Sequence, residues 1–111
     1  MRGRYHVRVM DLDQRTDARL VGLAPLLKVC GHPLRLRILC AIESRSEPCV
    51  SELWTCLNQS QPVVSQHLAV LKRRGIVVSR VVGNRRVYAI DDPFIRALVR
   101  GLLREPKARR G

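Results

Sequence analysis

Gln59-Ser-Gln-Pro-Val-Val-Ser-Gln-His-Leu-Ala-Val-Leu-Lys-Arg-Arg-Gly75 is the stretch on which the fold turns. Val64, Leu68 and Leu71 recur at i, i+4 and i+7, the apolar stripe of an amphipathic helix. Ser60 is placed to cap that helix, and Pro62 falls in its first turn, where a missing N–H is tolerated. The opposite face carries Gln61, Ser65, Gln66, Ala69, Lys72 and Arg73. Just before it, Val50, Leu53 and Leu57 predict a shorter helix over 50–57, ended by Asn58 in the left-handed conformation. Two helices joined by so short a turn read as a helix-turn-helix.

Around this pair the charge is one-sided. From Leu53 to Ile90 there is no Asp or Glu, and a surface that must approach DNA phosphates cannot carry acids where it touches. The 111 residues hold 21 Lys and Arg against 9 Asp and Glu, a net charge of +12 with a pI near 11.2. An anionic polymer or surface is the expected partner. Basic residues gather at Arg2, Arg4 and Arg8, at Lys72, Arg73 and Arg74, at Arg80, Arg85 and Arg86, and from Arg104 to Arg110. The two terminal groups read as solvated tails. The two middle groups, without acids near them, read as nucleic-acid contacts.

Beyond the helix pair, Ile76 to Val82 and Arg85 to Ile90 are valine-rich runs joined by Gly83-Asn84, the pattern of a β-hairpin. Upstream, Leu20, Leu23, Ala24 and Leu27 mark a first helix. Pro25 predicts that it is kinked, or begins late with Pro25 in its first turn. A second helix, roughly Pro33 to Glu43, is expected to bury Leu36, Leu39 and Cys40 and to leave Arg35 and Arg37 outside. Ile95, Leu98, Val99, Leu102 and Leu103 form the stripe of a last helix. A small domain rarely leaves so apolar a final stripe without a partner. Leu20, Leu23, Leu27, Ile95, Leu98, Val99 and Leu102 are therefore the candidate dimer interface.

Residues 1–15 read as a flexible basic arm, 16–104 as a DNA-binding and dimerisation domain, and 105–111 as a basic tail. The apolar share of 46% fits a globular chain. No apolar run approaches the ~20 residues of a membrane span, and no signal-peptide core stands at the N-terminus, so a cytoplasmic location is expected. Cys30, Cys40, Cys49 and Cys56 should then be free thiols, metal ligands or redox sensors rather than a disulfide framework.

For function, Gln61, Ser65, Gln66 and His67 are placed to read base edges in the major groove, and Gln can bond adenine bidentately. Ser60 and the helix N-terminus suit a phosphate. Lys72, Arg73, Arg80, Arg85 and Arg86 would anchor the flanking backbone, so the expected partner is a double-stranded DNA operator. His67 lacks a ligand neighbour at i+4, which favours a structural or phosphate-contact role over metal binding. His32, before Pro33, reads as a helix-boundary residue. A second reading remains open, in which the basic surface meets RNA or an acidic protein. Nothing resembles a paired-carboxylate, nucleophile–base or phosphate-loop signature, so an enzyme is not expected.

Three segments carry a more specific likeness: Cys49-Val-Ser-Glu-Leu-Trp-Thr-Cys-Leu-Asn-Gln-Ser-Gln-Pro-Val-Val-Ser-Gln-His-Leu-Ala-Val-Leu-Lys72, the earlier Leu27-Lys-Val-Cys-Gly-His-Pro-Leu-Arg-Leu-Arg-Ile-Leu39, and the later Gly83-Asn-Arg-Arg-Val-Tyr88. Over about Leu23 to Val99 the chain resembles the ArsR/SmtB repressors. The resemblance implies a mostly α fold with a small β-hairpin (α+β). This is a winged helix-turn-helix of five helices plus a two-stranded wing, acting as a homodimer that leaves its operator on sensing a metal, metalloid or thiol oxidant.

The family's familiar sensor sites are incomplete. Arsenite-sensing members carry Cys-Val-Cys-Asp-Leu-Cys where this chain has Cys49-Val-Ser-Glu-Leu-Trp54, which keeps only the first cysteine. Zinc-sensing members use Asp and His from the last helices; Asp92 matches the acid, but Phe94 stands in place of the histidine. Cys40 resembles the first cysteine of persulfide sensors, yet no cysteine follows Cys56 to pair with it, and a buried, inert role is expected. Cys49 and Cys56, seven apart on one helix, would lie about 10.5 Å apart, too far for one ion. No metal site and no cofactor are expected. Cys30 and Cys49 are the candidate thiol sensors, the latter favoured by its helix N-terminus. The inducer is left open, as is a protein that has lost sensing.

Overall fold

The computed structural model describes residues 12–104. The tail at 105–111 lies outside them, as does the arm except for Leu12 to Arg15. The elements run α1 (Gln14–Cys30), α2 (Pro33–Ser44), α3 (Val50–Leu57), α4 (Gln61–Arg73), β1 (Val77–Val82), β2 (Arg85–Ile90) and α5 (Pro93–Leu103). Among the described residues, five helices and a two-stranded antiparallel hairpin make a winged helix-turn-helix.

Local chemistry sets the helix ends. Asp13 caps α1 by accepting the Thr16 N–H at 2.7 Å, and His32 caps α2 by accepting the Leu34 N–H on Nδ1 at 3.0 Å. Asp92 does the same for α5 through the Ile95 N–H at 2.9 Å. Asn58 has φ +56 and closes α3, while Gln59 N–H donates to the Trp54 carbonyl and Asn58 N–H to that of Thr55. The same paired bonds close α4, from Ile76 N–H to Leu71 and from Gly75 N–H to Lys72, with Gly75 at φ +74. A side chain there would be strained, so this exit into the hairpin needs glycine.

One core binds α2 to α5 and the base of the hairpin. Ile38, Leu39, Leu53, Val64, Leu71, Ile76, Ile95 and Val99 are the most deeply buried, with Leu57, Leu68, Val77 and Ile90 beside them. The α4 stripe of Val64, Leu68 and Leu71 lies inside as its spacing predicts. Glu43 fastens α2 to α5, accepting from Arg100 Nε at 2.6 Å and Arg96 Nε at 3.3 Å.

Several expectations are corrected. The first helix does not start late with Pro25 in its first turn; it begins at Gln14, and Pro25 lies inside it. In α2 the buried set is Ile38, Leu39, Ala41 and Ile42, whereas Leu36 and Cys40 are only half-buried. Arg35 is not outside: it is half-buried, its Nε donating to His67 Nδ1 at 3.1 Å and its Nη1 to the Val29 carbonyl at 3.2 Å. Ile95 and Val99 are buried within this chain at 0% exposure, so they cannot also face a partner. Of the α5 stripe, Leu102 and Leu103 stay exposed and Leu98 is half-buried. By contrast α1 meets the core only through Leu26, Val29 and Cys30, leaving Leu20, Val21 and Leu27 exposed and Leu23 half-buried.

The hairpin pairs Val77 with Ile90 through to Val82 with Arg85 across the two-residue loop Gly83-Asn84. Gly83 has φ +65 in the first loop position, the glycine-first arrangement of a type II′ turn. β2 is also bonded on its far side, where Tyr88 N–H donates to the Pro48 carbonyl at 3.0 Å and Val87 bridges to Cys49. β2 thus has a bonded partner on both sides, and β1 forms the outer edge.

Candidate nucleic-acid interface

Side chains alternate across a strand, and cross-strand partners share a face. The hairpin therefore has two faces. One holds Val77, Ile90, Ser79, Tyr88, Val81 and Arg86; the other holds Val78, Ala89, Arg80, Val87, Val82 and Arg85.

The first face turns toward α4. Lys72 Nζ donates to Ser79 Oγ at 2.8 Å, and Arg86 Nη1 donates to the same oxygen at 3.2 Å. Beside this seam runs an open groove of about 200 Å3 lined by Ser65, Leu68, Ala69, Lys72 and Tyr88. The outer face of α4 is otherwise exposed at Gln61, Gln66, Ala69, Lys72 and Arg73, with Ser65 half-buried. Ser60 occupies the N-cap position but makes no capping bond through its side chain, so its hydroxyl remains open to solvent-side partners. Among the described residues, Lys72, Arg73 and Arg86 belong to no ion pair.

The second face turns toward the loop and helix start around residues 47–52. There Arg80 pairs with Glu47, and Arg85 pairs with Glu52 at 2.7 Å. Both carboxyls are held below their usual range, Glu47 mainly by the Arg80 hydrogen bond and Glu52 mainly by accepting the Cys49 N–H. Of the three wing arginines expected to meet phosphate, Arg86 is thus free of acids, while Arg80 and Arg85 are engaged. Sequence reasoning missed Glu47, Glu52 and Ser79. The hairpin's alternation was a usable signal for Ser79, since it puts that residue on the face of Arg86.

His67 departs from the expected reading set. Its Nδ1 accepts from Arg35, and its ring lies 4.7 Å from that of His32, tilted by 44°. Burial, then the nearby His32 and Arg35 charges, pushes its pKa down. The ring is neutral and braces α4 against α2 rather than presenting both nitrogens to a base.

The two candidate sensor thiols part company. Cys30 is 2% exposed, and its thiol is raised by burial and then by the charge of Asp92. An inert core thiol replaces the expected reactive one. Cys49 sits at the N-cap of α3, its Sγ 3.2 Å from Ser51 Oγ, and its pKa is lowered by Ser51 and then Arg85. Half-buried Cys40 is raised by burial, while Cys56 is exposed. Asp92 is used as a helix cap. Among the described residues, no three His, Cys, Asp or Glu side chains converge as a metal site, and no helix is long and apolar enough to cross a membrane.

A family model described as bacterial regulatory protein, arsR family, matches residues 32–79. A helix-turn-helix transcriptional regulator of Methanocaldococcus jannaschii is 34% identical over 77 residues, covering 69% of this chain and 86% of that protein. The crystal structure of the transcriptional repressor BigR from Xylella fastidiosa superposes with a TM-score of 0.72 at 33% identity, over 79% of this chain and 86% of that one. A homodimeric winged helix-turn-helix DNA-binding domain from Mycobacterium bovis, solved in solution, gives 0.65 at 26% identity, over 85% and 86%. With its helix-turn-helix, its basic wing and these relatives, the chain belongs to the ArsR family of bacterial regulatory proteins, DNA-binding regulators of transcription.

Proposed function

We propose that this chain is a homodimeric repressor that binds an operator with α4 in the major groove and the wing against the flanking backbone. The outer face of α4 carries the reading: Gln61, Ser65 and Gln66 precede Lys72 and Arg73 on a helix whose inner face is locked in the core. Short polar side chains at the start of such a helix suit base edges, and the cations beyond suit phosphate. Exposed Leu20, Leu27 and Leu102 are the patch for a second copy, and a structural neighbour that is homodimeric supports a dimer.

A small thiol-reactive species or metalloid releases the operator through Cys49, the thiol at the joint between α3 and the wing. The alternative partners, RNA or an acidic protein, have no observation in their favour. Selection of bound duplexes from a random library at ~150 mM salt, thiols reduced, tests the reading. An enriched inverted repeat is expected, and Gln66→Ala should shift its sequence. Salt-sensitive binding without enrichment would overturn operator recognition.

A further inference from the structure

We propose that Lys72, Ser79 and Arg86 form a clamp for a single backbone phosphate of duplex DNA at the seam between α4 and the wing. The inference rests on the DNA-binding reading above and adds to it a residue, Ser79, and a stoichiometry of two cations to one phosphate.

The geometry is that of a site held open. A serine hydroxyl has two acceptor lone pairs and one proton. At Ser79 both lone pairs are taken, by Lys72 from α4 and by Arg86 from β2, so its proton is left to donate outward. Lys72 keeps two further N–H donors and Arg86 four, none of them spent on a carboxylate among the described residues. Two like charges bonded to one oxygen repel each other, and an anion placed between them relieves that repulsion. Charge-assisted bonds to phosphate oxygens are the strong kind available to such donors.

The wing's other cations set the contrast. Arg80 and Arg85 lie on the opposite face and are already balanced by Glu47 and Glu52. Ser79 and Arg86 lie on the face turned to α4, beside the groove that Ser65 and Ala69 line. A phosphate in the clamp would therefore follow the strand whose bases α4 reads. The clamp joins the recognition helix to the wing through one point of the backbone.

The test uses the full-length protein and a short random-sequence duplex, titrated with salt for the wild type, Lys72→Ala, Arg86→Ala, the double variant and Ser79→Ala. Each neutralised phosphate contributes about 0.9 to the slope of log K against log salt. The double variant should lower the slope by about 0.9 per subunit, one phosphate each and so about 1.8 for the bound dimer. A drop of about 3.6 for the dimer would mean two separate phosphates per subunit and overturn the clamp, as would no drop at all. Ser79→Ala should leave the slope unchanged but weaken binding roughly three- to tenfold, with Ser79→Thr restoring it. Full affinity in Ser79→Ala would remove the hydroxyl from the site. Absence of salt-sensitive DNA binding by the wild type would instead refute the underlying reading, which separates the two failures.

Discussion

His67 is tied inward by Arg35, and that bond exists only while Nδ1 carries no proton. Its folded pKa is lowered from 6.5, by burial first and then by the charges of His32 and Arg35. Above the unfolded value the ring is neutral in both states and its contribution to stability is fully present. As the pH falls through 6.5 the unfolded chain takes up a proton that the folded chain resists, and that contribution is lost down to the folded pKa. Thermal melts between about pH 7.5 and 5.5 should show a falling midpoint, and His67→Gln should flatten that part of the profile. A wild-type profile that is flat over this range would contradict the neutral, braced ring. Cys49 makes the second prediction at this scale. With its pKa lowered by Ser51 and Arg85, it should alkylate faster near neutral pH than exposed Cys56, and far faster than buried Cys30. Peptide mass spectrometry over a time course with iodoacetamide would rank the three, and equal rates at Cys49 and Cys30 would remove Cys49 as a distinct thiol.

At the scale of elements, the helices and the hairpin were legible because each rests on a local rule. Asn58 ends α3 through left-handed backbone, Pro62 sits in the first turn of α4, and Gly83-Asn84 turns the wing. What a linear reading could not supply was proximity. The acid-free run from Leu53 to Ile90 is real along the chain, yet Glu47 and Glu52, just outside it, fold back onto Arg80 and Arg85. The α5 stripe likewise looked uniform, and only packing divides buried Ile95 and Val99 from exposed Leu102. These two acids compete with phosphate for the wing. Glu47→Gln and Glu52→Gln should each tighten DNA binding about two- to fivefold at low ionic strength, an advantage that fades as salt screens it. Glutamine at 52 can still accept the Cys49 N–H, so the cap of α3 should survive. Gel-shift titrations at two salt concentrations would decide, and weaker binding by both variants would mean that the pairs support the wing in its bound form.

For the whole molecule, the proposed dimer turns on α1. Among the described residues little of its 17-residue length is covered, and Leu20, Val21 and Leu27 are exposed on it, as Leu102 and Leu103 are on α5. Sedimentation should show a dimer. Leu20→Glu with Leu102→Glu should yield a folded monomer whose affinity for the selected duplex falls on the order of 100-fold, because two half-sites are no longer engaged together. A monomeric wild type with full affinity would refute this assembly. The net charge of +12 acts over longer distances, drawing the protein toward polyanions. It also bears on β1. This strand, Val77-Val-Ser-Arg-Val-Val82, bonds to β2 on one side, and among the described residues its outer side bonds to nothing. Such a valine-rich edge is a template for strand-to-strand aggregation, blunted here by Arg80 and by mutual repulsion between copies. At 1 M salt, where screening shortens the reach of charge to about 3 Å, that colloidal protection disappears. Stripping nucleic acid from this protein with concentrated salt would remove what keeps it in solution.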